Sequence, residues 1–154
     1  MEKNKIELGD IFEMKTENGN KIYIQCVEIP EDVINEVELL KIFYELHQVQ
    51  PEDISSIIDG GFFYNRFALK AAVKKKIVTK VGNIQLSNDF ESPLYYRTEN
   101  VFGEGWQIVN AKTWHRETVL TLSDDQKKLS PWGSMNDTLI IELLESGWKL
   151  ENWN

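Results

Sequence analysis

Two apolar-rich runs, over residues 10–16 and 21–29, flank an Asn18-Gly19 pair. Alternation of this kind predicts two half-buried strands. Asn-Gly tolerates positive φ at both positions, which predicts a tight type I′ hairpin between them. Pro30 has no amide donor and closes the second run. Residues 31–40 are ambiguous: Val33, Val37 and Leu40 sit at helical spacing, whereas Leu40, Ile42, Tyr44 and Leu46 alternate as on a strand. We read a loop or short turn of helix followed by a strand over 39–47.

Pro51-Glu52-Asp53 predicts a helix start, with proline in the first turn and carboxylates at the positive end of the dipole, so a helix is expected over 51–58. Gly60-Gly61 ends it, and Phe62-Phe63-Tyr64 opens an aromatic strand. A short helical stretch over 68–76 and a strand over 77–86 follow. Further strands are expected around Tyr95-Tyr96 and over 106–114, separated by Gly103-Glu104-Gly105. Ser123 and Gln126 have capping-box spacing and predict another short helix. Leu139, Ile140, Leu143 and Leu144 predict the best helix, over 137–146, with Gly147 as its left-handed stop. The whole reads as one α+β domain, residues 1–154. It has a twisted, mainly antiparallel sheet, an opening hairpin of the SH3-like barrel type, a few short helices and a C-terminal helix.

Cys26 is the single cysteine, so no internal disulfide is possible. The sequence shows neither a secretion leader nor an apolar run of membrane-spanning length, and a cytoplasmic protein without membrane contact is expected. The net charge of -8 disfavours nucleic acid and favours a basic partner. The charge is uneven. Residues 28–59 carry nine acidic side chains against Lys41 alone, whereas 66–80 carry six basic ones and no acid. These runs are either solvated faces that offset each other or an acidic docking surface opposite a basic patch.

Catalytic chemistry is hard to find. His47 and His115 stand in no motif with a nucleophile, Cys26 alternates with Ile22 and Ile24 on one strand face, and no Cys or His pair has metal-ligand spacing. Gly60-Gly61 lacks the Lys-Ser/Thr of a phosphate loop, and Gly103-Glu104-Gly105 lacks the third glycine of a dinucleotide site. No enzyme activity, metal or cofactor is expected. All five tryptophans fall at or after Trp106. The strand-like settings of Trp106 and Trp114 predict core packing, and the Ser, Pro, Gly and Asn neighbours of Trp132 and Trp153 predict exposure, where tryptophan can anchor a partner.

Four stretches in series resemble the immunity protein 26 family of bacterial polymorphic-toxin systems. They are Gly9-Asp10-Ile11-Phe12 with its hairpin to Gln25-Cys26-Val27, the strand Ile42-Phe43-Tyr44-Glu45-Leu46, the strand and turn from Phe62 to Val73, and the run from Ile77 to Leu86. Lys76 and Ile77 stand where the family often has a tryptophan. The resemblance implies a non-enzymatic protein that binds and neutralises a cognate toxin. The acidic segment suits a basic toxin such as a nuclease, and the expected contact residues are Glu28, Glu31, Asp32, Glu52 and Asp53, with Trp132 as an aromatic anchor. Two alternatives stay open. One is a binding or regulatory module unrelated to toxins. The other is an SH3-like endoribonuclease toxin using the basic run from Arg66 to Lys80.

Overall fold

The computed structural model describes residues 5–31 and 37–154, so Asp32 and most of the expected loop before the third strand lie outside the described residues. Two antiparallel sheets carry the fold. The larger is built from β1 (Asp10–Lys15), β2 (Lys21–Glu28), β3 (Glu38–Phe43), β4 (Phe62–Phe67) and β5 (Val78–Asn83), in the order β4-β3-β2-β1-β5. The smaller holds β6 (Tyr95–Glu99), β7 (Trp106–Asn110) and β8 (Arg116–Val119) in chain order. Two short helices, α1 (Leu69–Lys74) and α2 (Asp137–Glu145), complete a mainly antiparallel α+β architecture. Among the described residues no strand pairing closes either sheet into a barrel.

The central strand β2 is buried on both faces, which is why it reads as a near-continuous apolar run. Ile22, Ile24 and Cys26 join Phe12, Met14, Leu40, Ile42 and Phe63 beneath Leu69 and Ala72 of α1 and Ile140 and Leu144 of α2. On the opposite face, Tyr23 packs with Ile11, Phe43 and Ile57. Further along that face, Val27 and Leu39 meet Tyr96 and Trp132. Burying each such aliphatic or aromatic side chain contributes about 1.5–3 kcal/mol, so this two-sided core dominates stability.

The opening Gly9-Asp10 pair is structural. Gly9 has φ +88°, and a Cβ there would lie 2.5 Å from the Ile84 carbonyl oxygen, so the close pass of this segment requires glycine. Asp10 is fully buried and accepts from the Glu7 amide at 2.8 Å and from Asn83 Nδ2 at 2.9 Å, with Lys80 Nζ at 2.9 Å. One carboxylate thus ties β1 to β5 and to the turn before it.

Several elements depart from the pattern-based expectation. The hairpin does turn at Asn18-Gly19, but only Gly19 is left-handed, at φ +84°, so the turn is not type I′. The Gly19 amide donates to the Thr16 carbonyl, and Asn18 Nδ2 is drawn to Glu145 of α2 at 3.1 Å. Glu145 also accepts from Thr16 Oγ1 and Asn20 Nδ2, so the hairpin tip is docked on α2. Strand β3 ends at Phe43 rather than residue 47. Between the Ile24–Ile42 and Lys21–His47 pairings the β3 side holds two extra residues, which bulge out of register. The helix expected over 51–58 is a 3-10 turn, Ile54–Asp59, because Asp53 accepts from the Ser55 amide at 3.0 Å and caps three residues later than the proline signal suggests. Ser123 and Gln126 do form the reciprocal capping pair, yet only the 3-10 turn Gln126–Lys128 follows.

The largest departure lies in residues 106–119. The expected strand over 106–114 stops at Asn110, whose Oδ1 accepts from the Lys112 and Thr113 amides at 2.9 and 3.1 Å and folds the chain into a hairpin. The chain then returns as β8. Trp114 is consequently exposed in the turn, and its expected place in the core is not realised.

Candidate functional site

Residues 130–135 look like a loop in sequence, but they run beside the edge strands of both sheets. The Arg97 amide of β6 donates to the Ser130 carbonyl at 3.0 Å, and the Trp132 amide donates back to the Arg97 carbonyl at 2.9 Å. Three residues on, the Met135 amide donates to the Arg66 carbonyl of β4 at 3.0 Å. Asn65 Nδ2 reaches the Pro131 carbonyl at 3.0 Å, and Ser130 Oγ accepts from the Tyr64 amide at 2.9 Å. This strap sets the two sheets side by side and places Trp132 at their junction.

A notch of about 280 Å³ opens at that junction, with Tyr96, Trp114 and Trp132 around it and Arg66, Val37, Ala111, Gly133 and Ser134 also in its lining. The Tyr96 and Trp132 rings are 5.6 Å apart at 58°. Arg66 Nη2 lies 2.6 Å from Glu28 Oε2, and Nη1 donates to the Val37 carbonyl at 2.8 Å, so the guanidinium is held by two partners at the edge of the notch. Ser92 Oγ holds the other Glu28 oxygen at 2.8 Å. Burial pushes the Tyr96 phenol up to about 12, so it stays neutral and able to donate at ordinary pH.

The notch unites part of the expected contact set and separates the rest. Glu28 and Trp132 meet there through Arg66, and Glu28, its side chain 35% exposed, is engaged in an ion pair with Arg66. Trp132 is half-buried against Tyr96 instead of fully exposed, and Trp153 is half-buried against Trp106 at 4.9 Å. Glu31 is exposed just beyond β2. Glu52 and Asp53 are exposed beside the 3-10 turn that packs over Tyr23, five residues down β2 from Glu28, or about 17 Å along the strand. The acidic run over 28–59 is therefore not a single face. Glu38, within it, is buried and accepts from the Leu69 amide at the start of α1. The basic run is likewise partly consumed, Arg66 on Glu28 and Lys80 on Asp10.

Sequence reasoning missed Tyr96, Arg66 and Trp114 as neighbours of Trp132. The polar break Asn110-Ala111-Lys112-Thr113 was the available signal, since asparagine opens turns through its own side chain. No comparable signal marks the strap, because its hydrogen bonds are to strands far away in sequence.

Other chemistry-bearing groups are absorbed by the fold. Cys26 is buried, and burial, followed by the charges of Glu38 and Asp10, pushes its thiol up to about 12, which removes the thiolate at neutral pH. His47 lies edge-on to Tyr23 at 5.2 Å and 3.0 Å from Glu45. Among the described residues no three His, Cys, Asp or Glu side chains converge as a metal site, and no helix is long and apolar enough to cross a membrane.

The raised thiol and phenol values have a consequence for stability. Burial and the Glu13 carboxylate also raise Tyr23 above its ordinary value. In the unfolded chain these groups lose protons at their usual pH, whereas the fold retains them, so the folded state binds more protons and stability falls as pH rises. Between pH 8 and pH 10 the loss is expected to be about 2 kcal/mol, mostly from Cys26. Urea midpoints at the two pH values check this, and Cys26→Ala should flatten the dependence.

Compared with protein-family models, with curated proteins and with solved structures, the chain matches none.

Proposed function

We propose that this protein is an immunity protein that binds and neutralises a cognate bacterial toxin by stoichiometric contact. The observation that supports the reading is the notch between the sheets. Trp, Tyr and Arg are the residue types that dominate binding hot spots, and here Tyr96, Trp114, Trp132 and Arg66 surround one opening. The resemblance of residues 9–86 to immunity protein 26 supplies the partner class, and the charge of -8 favours a basic toxin. A binding module unrelated to toxins would use the same notch and differ only in what it binds. The ribonuclease reading is weakened by the pairing of Arg66 with Glu28 and of Lys80 with Asp10.

The test is protection. Cells expressing the toxin domain encoded beside this gene should survive when the chain is co-expressed, and the two purified proteins should form a complex of fixed stoichiometry. Reversing Glu31, Asp32 and Glu52 to lysine, with the capping Asp53 left in place, should slow association on the order of tenfold at low salt and weaken its salt dependence. Unchanged association would remove those carboxylates from the contact. Failure to protect or to bind would remove the toxin reading itself.

A further inference from the structure

Resting on the reading of the notch as a protein contact, we infer that it receives a cationic side chain, arginine or lysine, from the partner. Three aromatic residues, Trp114, Trp132 and Tyr96, are part of its lining. An aromatic face attracts a cation through its quadrupole and repels a carboxylate. The one cation in the lining, Arg66, has its charge met by Glu28 at 2.6 Å and by the Val37 carbonyl. Glu31 is exposed three residues beyond Glu28, and the chain as a whole is acidic. The opening has room for one long side chain rather than a folded element. The same fold already holds cations on aromatic rings: Arg97 lies 4.5 Å from the Trp153 centroid and Lys41 lies 4.6 Å from that of Phe62.

The backbone at Trp114 points the same way. Its φ is +64°, in the left-handed region where a bulky residue is an outlier and glycine or asparagine is ordinary. The Trp114 amide donates to the Asn110 carbonyl at 2.8 Å, and the Asn110 amide to the His115 carbonyl at 2.9 Å, which fixes this four-residue turn. The side chain is 69% exposed, so packing returns little of the strain. A tryptophan kept in a costly conformation, over an opening with two other aromatic rings, fits a residue retained for binding.

The test uses the purified full chain and three blocked pentapeptides, Gly-Gly-X-Gly-Gly, with X as arginine, norleucine or glutamate. Indole N–H resonances of Trp114 and Trp132 report occupancy. The arginine peptide should shift both and bind at least about fivefold more tightly than the norleucine peptide, and the glutamate peptide should shift neither. Trp114→Gly should raise the melting temperature by about 2–4 °C while weakening the arginine peptide at least about fivefold, read at Trp132. Equal binding of norleucine, no shift with arginine, or unchanged binding by Trp114→Gly would overturn the inference, and a lowered melting temperature would overturn the strain argument. Because no toxin enters this measurement, its failure is distinct from that of the immunity reading. Protection without peptide binding removes the cationic guest alone, and peptide binding without protection removes the toxin alone.

Discussion

Arg97→Ala is expected to destabilise the protein by about 3–5 kcal/mol, the summed cost of depriving several buried carbonyls of their donor at about 1–3 kcal/mol each. Arg97 is fully buried. Its Nε donates to the Leu129 carbonyl at 3.0 Å, Nη2 to the Lys127 and Leu150 carbonyls at 2.9 and 2.8 Å, and Nη1 to the Trp153 carbonyl. The guanidinium lies 5.1 Å from the Trp106 centroid and 4.5 Å from that of Trp153. Burial lowers it to about 10, which leaves it charged at neutral pH. Alanine would leave the carbonyl oxygens of Lys127, Leu129 and Trp153 without a donor, while that of Leu150 keeps the Trp153 amide, and each buried unpaired one costs about 1–3 kcal/mol unless water reaches it. Lysine should not rescue, because a point ammonium cannot reproduce a planar fork directed at separate segments. Urea denaturation followed by tryptophan fluorescence checks both variants, and the emission should shift red as Trp148 and Trp153 gain water. A loss below about 1 kcal/mol for Arg97→Ala would contradict this role.

Nothing in the sequence around Arg97 marks that role. It sits between Tyr96 and Thr98 in an expected strand, and its acceptors are backbone carbonyls of residues 30 to 56 positions away. Side-chain periodicity carries no information about which carbonyls a cation will find. The features that were legible are those with local causes. Alternation located the hairpin strands, Asn18-Gly19 located their turn, and the fourfold spacing of Leu139, Ile140, Leu143 and Leu144 located α2 to within a residue of its observed end. Asn136 caps that helix by accepting from the Leu139 amide at 2.8 Å. Where propensity met a competing side-chain hydrogen bond, the local reading failed. Asp53 shortened one helix, and Asn110 broke a strand that its apolar residues would otherwise have extended.

The site was legible only in fragments, for the same reason. Trp132 stands out because its neighbours are turn formers, and Glu28 because it opens an acidic run. Their proximity depends on the strap over 130–135 pairing with Arg66 and Arg97, two contacts that bridge separate sheets. Glu52 and Asp53 share the charge of Glu28 but not its location, since the packing of Ile57, in the 3-10 turn, on Tyr23 carries them elsewhere on the large sheet. Charge density along a chain marks a surface only when the chain stays on one face, and here it crosses from β2 through β3 to the 3-10 turn.

In the toxin complex proposed above, Trp132→Ala is expected to weaken binding by about 2–4 kcal/mol, seen mainly as faster dissociation. The indole lies tilted at 58° to Tyr96, 5.6 Å away, and lines the notch, so truncation removes apolar contact area from its lining. Long-range attraction comes from the net charge and is unaffected, which leaves the association rate near that of the parent. Trp114→Ala should act in the same direction, since Trp114 is part of the same lining. The decisive measurement is the dissociation rate of the purified complex with the toxin domain encoded beside this gene, for the parent chain, Trp132→Ala and Trp114→Ala, with each variant first shown to be folded. The account predicts rates faster by about 30-fold or more for Trp132→Ala, with protection of toxin-expressing cells lost in parallel. Parental dissociation rates and full protection by both folded variants would contradict it.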